Sequence, residues 1–216
     1  MTTRQAILIN LGFTLFWFAA PNWSQNSKQD LLAKNMTDIS GKTFQTLNKA
    51  INAGGDSPMS MNLKSSAFEH NGEIPERHTC EGKDISPALS WSDFPKNTKS
   101  FALIVDDPDA PDPAAPKMTW VHWILYNIPS DVKELPEAVA ENDLPTGTRP
   151  GLNDWKKIGY GGPCPPIERH RYFFKLYALD TVLPDLNQPT KPELEKAMRG
   201  HIIGQSELIG TYQKHK

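Results

Sequence analysis

Phe101-Ala102-Leu103-Ile104-Val105-Asp106-Asp107-Pro108-Asp109-Ala110-Pro111 joins an uninterrupted apolar run to a loop of acids and prolines. The apolar run reads as a strand. Pro108 disfavours the helical region for Asp107, and Pro111 does so for Ala110, which predicts an extended, stiff loop. In an extended chain residues i and i+2 point to the same side, so Asp107 and Asp109 are expected to project together from the strand end. Two carboxylates that close raise each other's pKa unless a cation or donors offset them. The pattern suits a polar ligand site and equally an Asx-type turn.

Working outward, further strand-like runs are Met61–Phe68, Ala88–Trp91, Met118–Ile128 and Arg171–Leu179, punctuated by Gly, Pro, Asn and Asp clusters. That alternation predicts antiparallel β architecture. Thr190–Glu207 keeps a helical period through Leu194, Ala197, Met198 and Ile202, with Pro192 in its first turn and Gly200 and Gly204 weakening its end. Leu208–Gln213 is expected as a last strand.

In the strand after the acidic loop, period two places Trp120, His122, Ile124 and Tyr126 on one face and Val121, Trp123 and Leu125 on the other. Both faces are largely apolar, so this strand is expected to be central. His122 there needs hydrogen-bond partners and reads either as a satisfied core histidine or as a neighbour of the aspartates. His170 and Tyr172 share a face with Phe174 and Leu176, at the mouth of a further strand, while Arg171 points the other way, towards a structural carboxylate. Gly159-Tyr160-Gly161-Gly162-Pro163-Cys164-Pro165-Pro166 lies between them. Its glycines permit close backbone approach, and paired N–H groups in such a turn bind anions; the same residues also make a plain rigid turn. Without a lysine or Walker spacing it is no nucleotide P-loop.

The chain has 216 residues and a net charge of −2, with Lys and Arg dispersed, which excludes the basic stripe of a nucleic-acid binder. Nineteen prolines and 14 glycines favour a loop-rich β domain over a helical bundle. Cys80 and Cys164 are the only cysteines. Their wide separation makes no zinc site, and Cys164, between prolines, lacks a helix N-terminus to activate it, though His170 lies near. In an exported protein the two are expected to form one disulfide.

Export is expected from the N-terminus. Arg4 precedes an uncharged run from Ala6 to Ala20, which suits a signal-peptide core and is short of the about 20 residues of a membrane span. The alternative is an uncleaved membrane anchor formed by residues 6–20, since Pro21 is a poor cleavage flank. The first places the domain outside the cytoplasm, periplasmic or secreted; the second leaves it anchored to the membrane. Residues 21–58 read as a polar linker; Leu32, Met36 and Ile39, then Phe44, Leu47 and Ile51, keep the spacing of short amphipathic helices. Residues 59–216 read as one domain.

Asp-Pro-Asp-Ala-Pro, the His122-Trp123 strand, Gly-Gly-Pro-Cys-Pro-Pro and His170-Arg171-Tyr172 occur in that order. Cys80-Glu81-Gly82, Ile85-Ser86-Pro87, Gly200-His201-Ile202 and Glu207-Leu208-Ile209-Gly210-Thr211-Tyr212 extend the set. Together they resemble the phosphatidylethanolamine-binding protein family, in its bacterial Raf-kinase-inhibitor-like branch, over about residues 60–214. The resemblance implies a large antiparallel sheet packed on a smaller one, with few peripheral helices and a small anion-accepting pocket. Carried over by motif, the pocket residues are Asp107, Asp109, Trp120, His122, Gly162, Pro165, His170 and Tyr172. Glu168 and Arg169 before His-Arg-Tyr depart from the family pattern.

The resulting expectation is a binding module rather than an enzyme, with no catalytic residue, metal or cofactor assigned. Its ligand would be a phosphate, phosphoryl head group or small carboxylate, anionic or zwitterionic. The imidazoles, the Tyr172 hydroxyl and loop N–H groups would donate to its oxygens. Facing carboxylates, at least one imidazole is expected to stay protonated above about 6.5. Family members occupy partners such as kinases or proteases. Two alternatives stand beside this reading: a metal-dependent phosphoesterase using Asp107, Asp109 and His122, and an interaction protein with a vestigial pocket.

Overall fold

Apolar and alternating runs become strands wherever another layer covers them, and the computed structural model describes this for residues 58–215. The expected signal segment, and the linker up to residue 57 with its helical spacings, lie outside the described residues. The strands are β1 (Met59–Ser60), β2 (Asn62–Ser65), β3 (Gly72–Glu73), β4 (Leu89–Ser92), β5 (Ser100–Asp107), β6 (Trp120–Pro129), β7 (Glu134–Leu135), β8 (Arg149–Pro150), β9 (His170–Leu179) and β10 (Ile202–Tyr212). One α-helix among the described residues, α1 (Lys191–Met198), precedes β10.

A seven-stranded sheet runs β1-β10-β9-β5-β6-β8, with β3 also paired to β10; β2-β4-β7 form a three-stranded second sheet. Pairing is antiparallel except where β10 meets β1 and β3. The expected large sheet on a smaller one is what the chain forms. All eight residues of β5 are buried, because it is central and covered on both sides. Phe101, Leu103 and Val105 join Trp123, Leu125, Phe174 and Leu176 in a core against Leu63, Leu89 and Trp91 of the small sheet. Ala102 and Ile104 face the other way, towards Leu194 and Met198 of α1. Each large aliphatic side chain buried this way contributes about 1.5–3 kcal/mol.

Two expected boundaries change. The first strand stops at Ser65 because its hydroxyl accepts a hydrogen bond from Ala67 N at 3.1 Å, turning the chain. The helical pattern over Thr190–Glu207 is helix only to Met198. Glu193 accepts from Thr190 N at 2.8 Å to open α1, Gly200 at φ 83° redirects the chain, and Ile202–Glu207 become the first half of β10, paired to β9. The helical spacing of Ile202 was a coincidence of a strand residue with the preceding helix.

Candidate functional site

β5, β6 and β9 end beside one another, and their last or first residues wall a cavity of about 430 Å³. Strand alternation sends Val105 to the inter-sheet core, Asp106 to the helix side and Asp107 back towards the cavity. The Asp107 carboxylate accepts from Asp109 N at 2.8 Å, an Asx turn, and lies 2.7 Å from His170 Nδ1. The turn sends Asp109 elsewhere, and this corrects the expectation that both acids face the ligand. Asp109 accepts from Arg171 Nε at 2.9 Å, Arg171 Nη2 at 2.7 Å and Arg171 N at 2.9 Å, and it does not line the cavity. These bonds, above all those from the guanidinium, hold its pKa below the usual carboxylate value. Arg171 thus finds the structural carboxylate expected for it.

His122 reaches the cavity through a bulge. Val105 pairs with Trp123 and Asp106 with Val121, so His122 is the extra residue of β6. Strict alternation therefore fails here. Val121 packs with Ile124 and Tyr126 on the helix side, while His122 turns to the side of Trp123 and Tyr172. Its ring lies edge-on to Tyr172, with centroids 5.2 Å apart. Re-aiming one side chain is what a bulge does. His122 Nδ1 lies 2.7 Å from Gly161 O, and Gly161 N donates back to His122 O at 3.0 Å. Burial holds the imidazole below the ordinary histidine value, outweighing the raising pull of the Gly161 carbonyl and of Asp107. His122 is therefore not an imidazole raised by the facing carboxylates. In the neutral ring Nδ1–H donates to Gly161 and Nε2 carries a lone pair.

His170 is fully buried, and both ring nitrogens face oxygen acceptors: Asp107 at 2.7 Å and Ile167 O at 3.1 Å. It lines the cavity as expected, with both ring nitrogens already engaged by protein oxygens. Tyr172 differs. Its hydroxyl is buried without a hydrogen-bond partner, and burial, then Asp107, pushes its pKa well up, so it remains a donor. Trp120 Nε1 is likewise buried and unpartnered. Both residues line the cavity, as do Pro165 and Cys164.

The glycine-proline loop also departs from expectation. Gly161 N is bound to His122 and Gly162 N to Asp84 Oδ1 at 2.6 Å, while prolines have no N–H. Gly161 N and Gly162 N are therefore engaged within the protein and not presented to an anion. Gly162 is packed against the 78–84 turn, where a Cβ would come within 2.4 Å of His78 O, and it borders a separate cavity of about 250 Å³. Cys80 and Cys164 form the expected disulfide, with Cα atoms 5.5 Å apart. The trio needed by the phosphoesterase alternative does not converge, because Asp109 belongs to Arg171; no cluster of three metal-ligating side chains occurs among the described residues.

Trp155 escaped the sequence reading. The segment after β8 lies along the edge of β6, with Gly151 N donating to Ile124 O and Asp154 N to Val121 O, both at 3.0 Å. This lays Trp155 against Trp120 and His122, with ring centroids 5.4 and 5.1 Å apart. A Cβ on Gly161 would stand 2.7 Å from the Trp155 ring, so the glycine makes room for the indole. The available signal was a lone tryptophan in the polar run Asn153-Asp154-Trp155-Lys156-Lys157. A wider groove of about 650 Å³ elsewhere, bordered by Ser60, Tyr177 and Glu207, contains none of the expected site residues.

Comparison with known proteins agrees with the geometry. The sequence model described as phosphatidylethanolamine-binding protein matches residues 64–213. A UPF0098 protein of Methanothermobacter thermautotrophicus is 50% identical over 155 residues, covering 71% of this chain and 99% of that protein. The crystal structure of a phosphatidylethanolamine-binding protein homologue from Chlamydia trachomatis is 46% identical, with TM-score 0.66, and covers 72% of this chain and 99% of its own. YbcL of Escherichia coli, described as a member of the mammalian family, is 33% identical with TM-score 0.65 over 72% of this chain and 99% of that one.

Proposed function

This chain belongs to the phosphatidylethanolamine-binding protein family, and from that premise we propose that its cavity binds a small oxyanion, a phosphoryl or carboxylate group. The observation that carries this reading is the Tyr172 hydroxyl, a buried donor with no acceptor. An orphaned buried donor costs about 1–3 kcal/mol, which a ligand oxygen would offset. Trp120 Nε1 offers a second such donor in the same cavity. His122 Nε2 accepts from a protonated oxygen when neutral and donates to an anion when protonated. Asp107 lines the same cavity, where its carboxylate is engaged by His170 and by Asp109 N. Binding, not turnover, is the proposed activity.

Calorimetric titration with phosphate, phosphoethanolamine and acetate, beside thermal unfolding, tests the reading. A ligand at 100 times its Kd adds about 2.7 kcal/mol of stability. Tyr172→Phe keeps the ring packing and removes only the orphan hydroxyl, so it should fold at least as stably and bind about tenfold more weakly. No response of the wild-type protein to any of the three, or unchanged binding by Tyr172→Phe, would overturn it.

Export is part of the proposal. It is supported by the disulfide, both of whose cysteines are exposed to solvent and would persist in an oxidising compartment. Fractionation of cells carrying the full chain tests this; recovery of the protein in the cytosol with both thiols free would sink it.

A further inference from the structure

The walls of the cavity are far less polar than a site for a bare oxyanion requires. A cavity of about 430 Å³ is larger than a bare phosphate ion fills. Beyond the Tyr172 hydroxyl, Trp120 Nε1, His122 and the paired Asp107 and His170, the lining is mostly Pro111, Met118, Trp155, Pro165 and Pro166. Met118 is 51% exposed and Trp155 40% exposed, and both line the cavity. They are two of the five large apolar side chains that stand exposed among the described residues. Large apolar side chains gathered at one opening mark a contact surface for a ligand.

The polar and apolar parts are arranged in sequence. Tyr172, His122 and Trp155 follow one another edge-to-face, with centroids 5.2 and 5.1 Å apart, and Trp120 packs on Trp155 at 5.4 Å. Tyr172 stands at the buried end of this run, and Trp155, with proline rings and a thioether, at the exposed end. Proline and indole faces suit a flat ring, and a thioether makes favourable contacts with aromatic edges.

Resting on the oxyanion reading above, we infer that the ligand is an aromatic oxyanion, a phosphoryl or carboxylate group on a planar ring. The charged group meets Tyr172 and Trp120, and the ring lies against Trp155 between Met118 and the prolines. Trp155 is then the specificity-determining residue of the site.

Titration of the full chain with inorganic phosphate and with phenyl phosphate, and in parallel acetate and benzoate, tests the inference. The wild-type protein should bind each aromatic ligand about tenfold more tightly than its small counterpart. Trp155→Leu, which keeps an apolar side chain and removes the indole, should bring the affinity ratio of phenyl phosphate to inorganic phosphate close to one, and Trp155→Phe should restore part of that ratio. Equal affinity of wild-type protein for the aromatic and small ligands would overturn the inference and leave the oxyanion reading intact. So would equal weakening of both classes by Trp155→Leu. No binding of any of the four would overturn both.

Discussion

Asp109 and Arg171 are joined by three hydrogen bonds, two from the guanidinium and one from the Arg171 backbone N–H. The link pins the loop that carries Ala110, Pro111 and Met118, one wall of the cavity, to the start of β9. Asp109→Ala leaves the Arg171 N–H without its acceptor and should cost about 2 kcal/mol in urea denaturation at pH 7. The folded-state pKa of Asp109 is depressed, so this contribution is present above the unfolded value of about 3.9 and is lost as pH falls through the lower folded value. The stability gap between wild type and Asp109→Ala should therefore hold from pH 7 to 5 and close below pH 4. A gap that persists at pH 2 would contradict this.

Anion binding should strengthen with acid. His122 is held below the ordinary histidine pKa by burial, so at pH 7 its Nε2 has no proton for an anion. Sulfate, whose charge is constant above pH 4, should bind more tightly as pH falls from 7 through that depressed value. His122→Gln should flatten the profile. Without ligand the sign is opposite: the unfolded imidazole takes up its proton at about 6.5 before the folded one does, so stability falls as pH drops below that value. Sulfate affinity independent of pH between 7 and 5 would refute the assignment.

On the far side of the sheet, the fully buried Asp106 carboxylate lies 2.8 Å from Lys175 Nζ and 2.6 Å from Lys191 Nζ. Lys191 opens α1, so this carboxylate ties the helix to β5 and β9. Asp106→Ala leaves two partly buried ammonium groups without it and should cost about 3–5 kcal/mol. The two lysines should show non-additive losses in a double-mutant cycle; strictly additive losses would mean that they act independently of each other at the shared carboxylate.

Reduction of Cys80–Cys164 opens a loop spanning 84 positions and should lower stability by about 4 kcal/mol in the chain-entropy model. Because Cys164 lines the cavity, ligand affinity should fall as well. Cys80→Ser with Cys164→Ser checks both by calorimetry. A melting temperature unmoved by the double substitution would rule out a stabilising bond.

The sequence by itself determined the long central strands β5, β6 and β9, the mainly antiparallel character, the family and most of the residues at the cavity. Those are properties of local pattern: the apolar run 101–105 needs cover on both faces, and period two correctly set His170 and Tyr172 beside Phe174 and Leu176. Tertiary structure alone decided which way His122 points. A bulge is a mismatch between two paired strands, and β6 read by itself contains no sign that β5 falls one residue short opposite it. The same holds for Asp109, which an Asx turn and a guanidinium from β9 draw out of the cavity, and for Trp155, which joins the site only because its loop lies along the edge of β6. Periodicity is written within a segment. Which side chains share a cavity depends on how separate segments pair, and that is settled only when they pack.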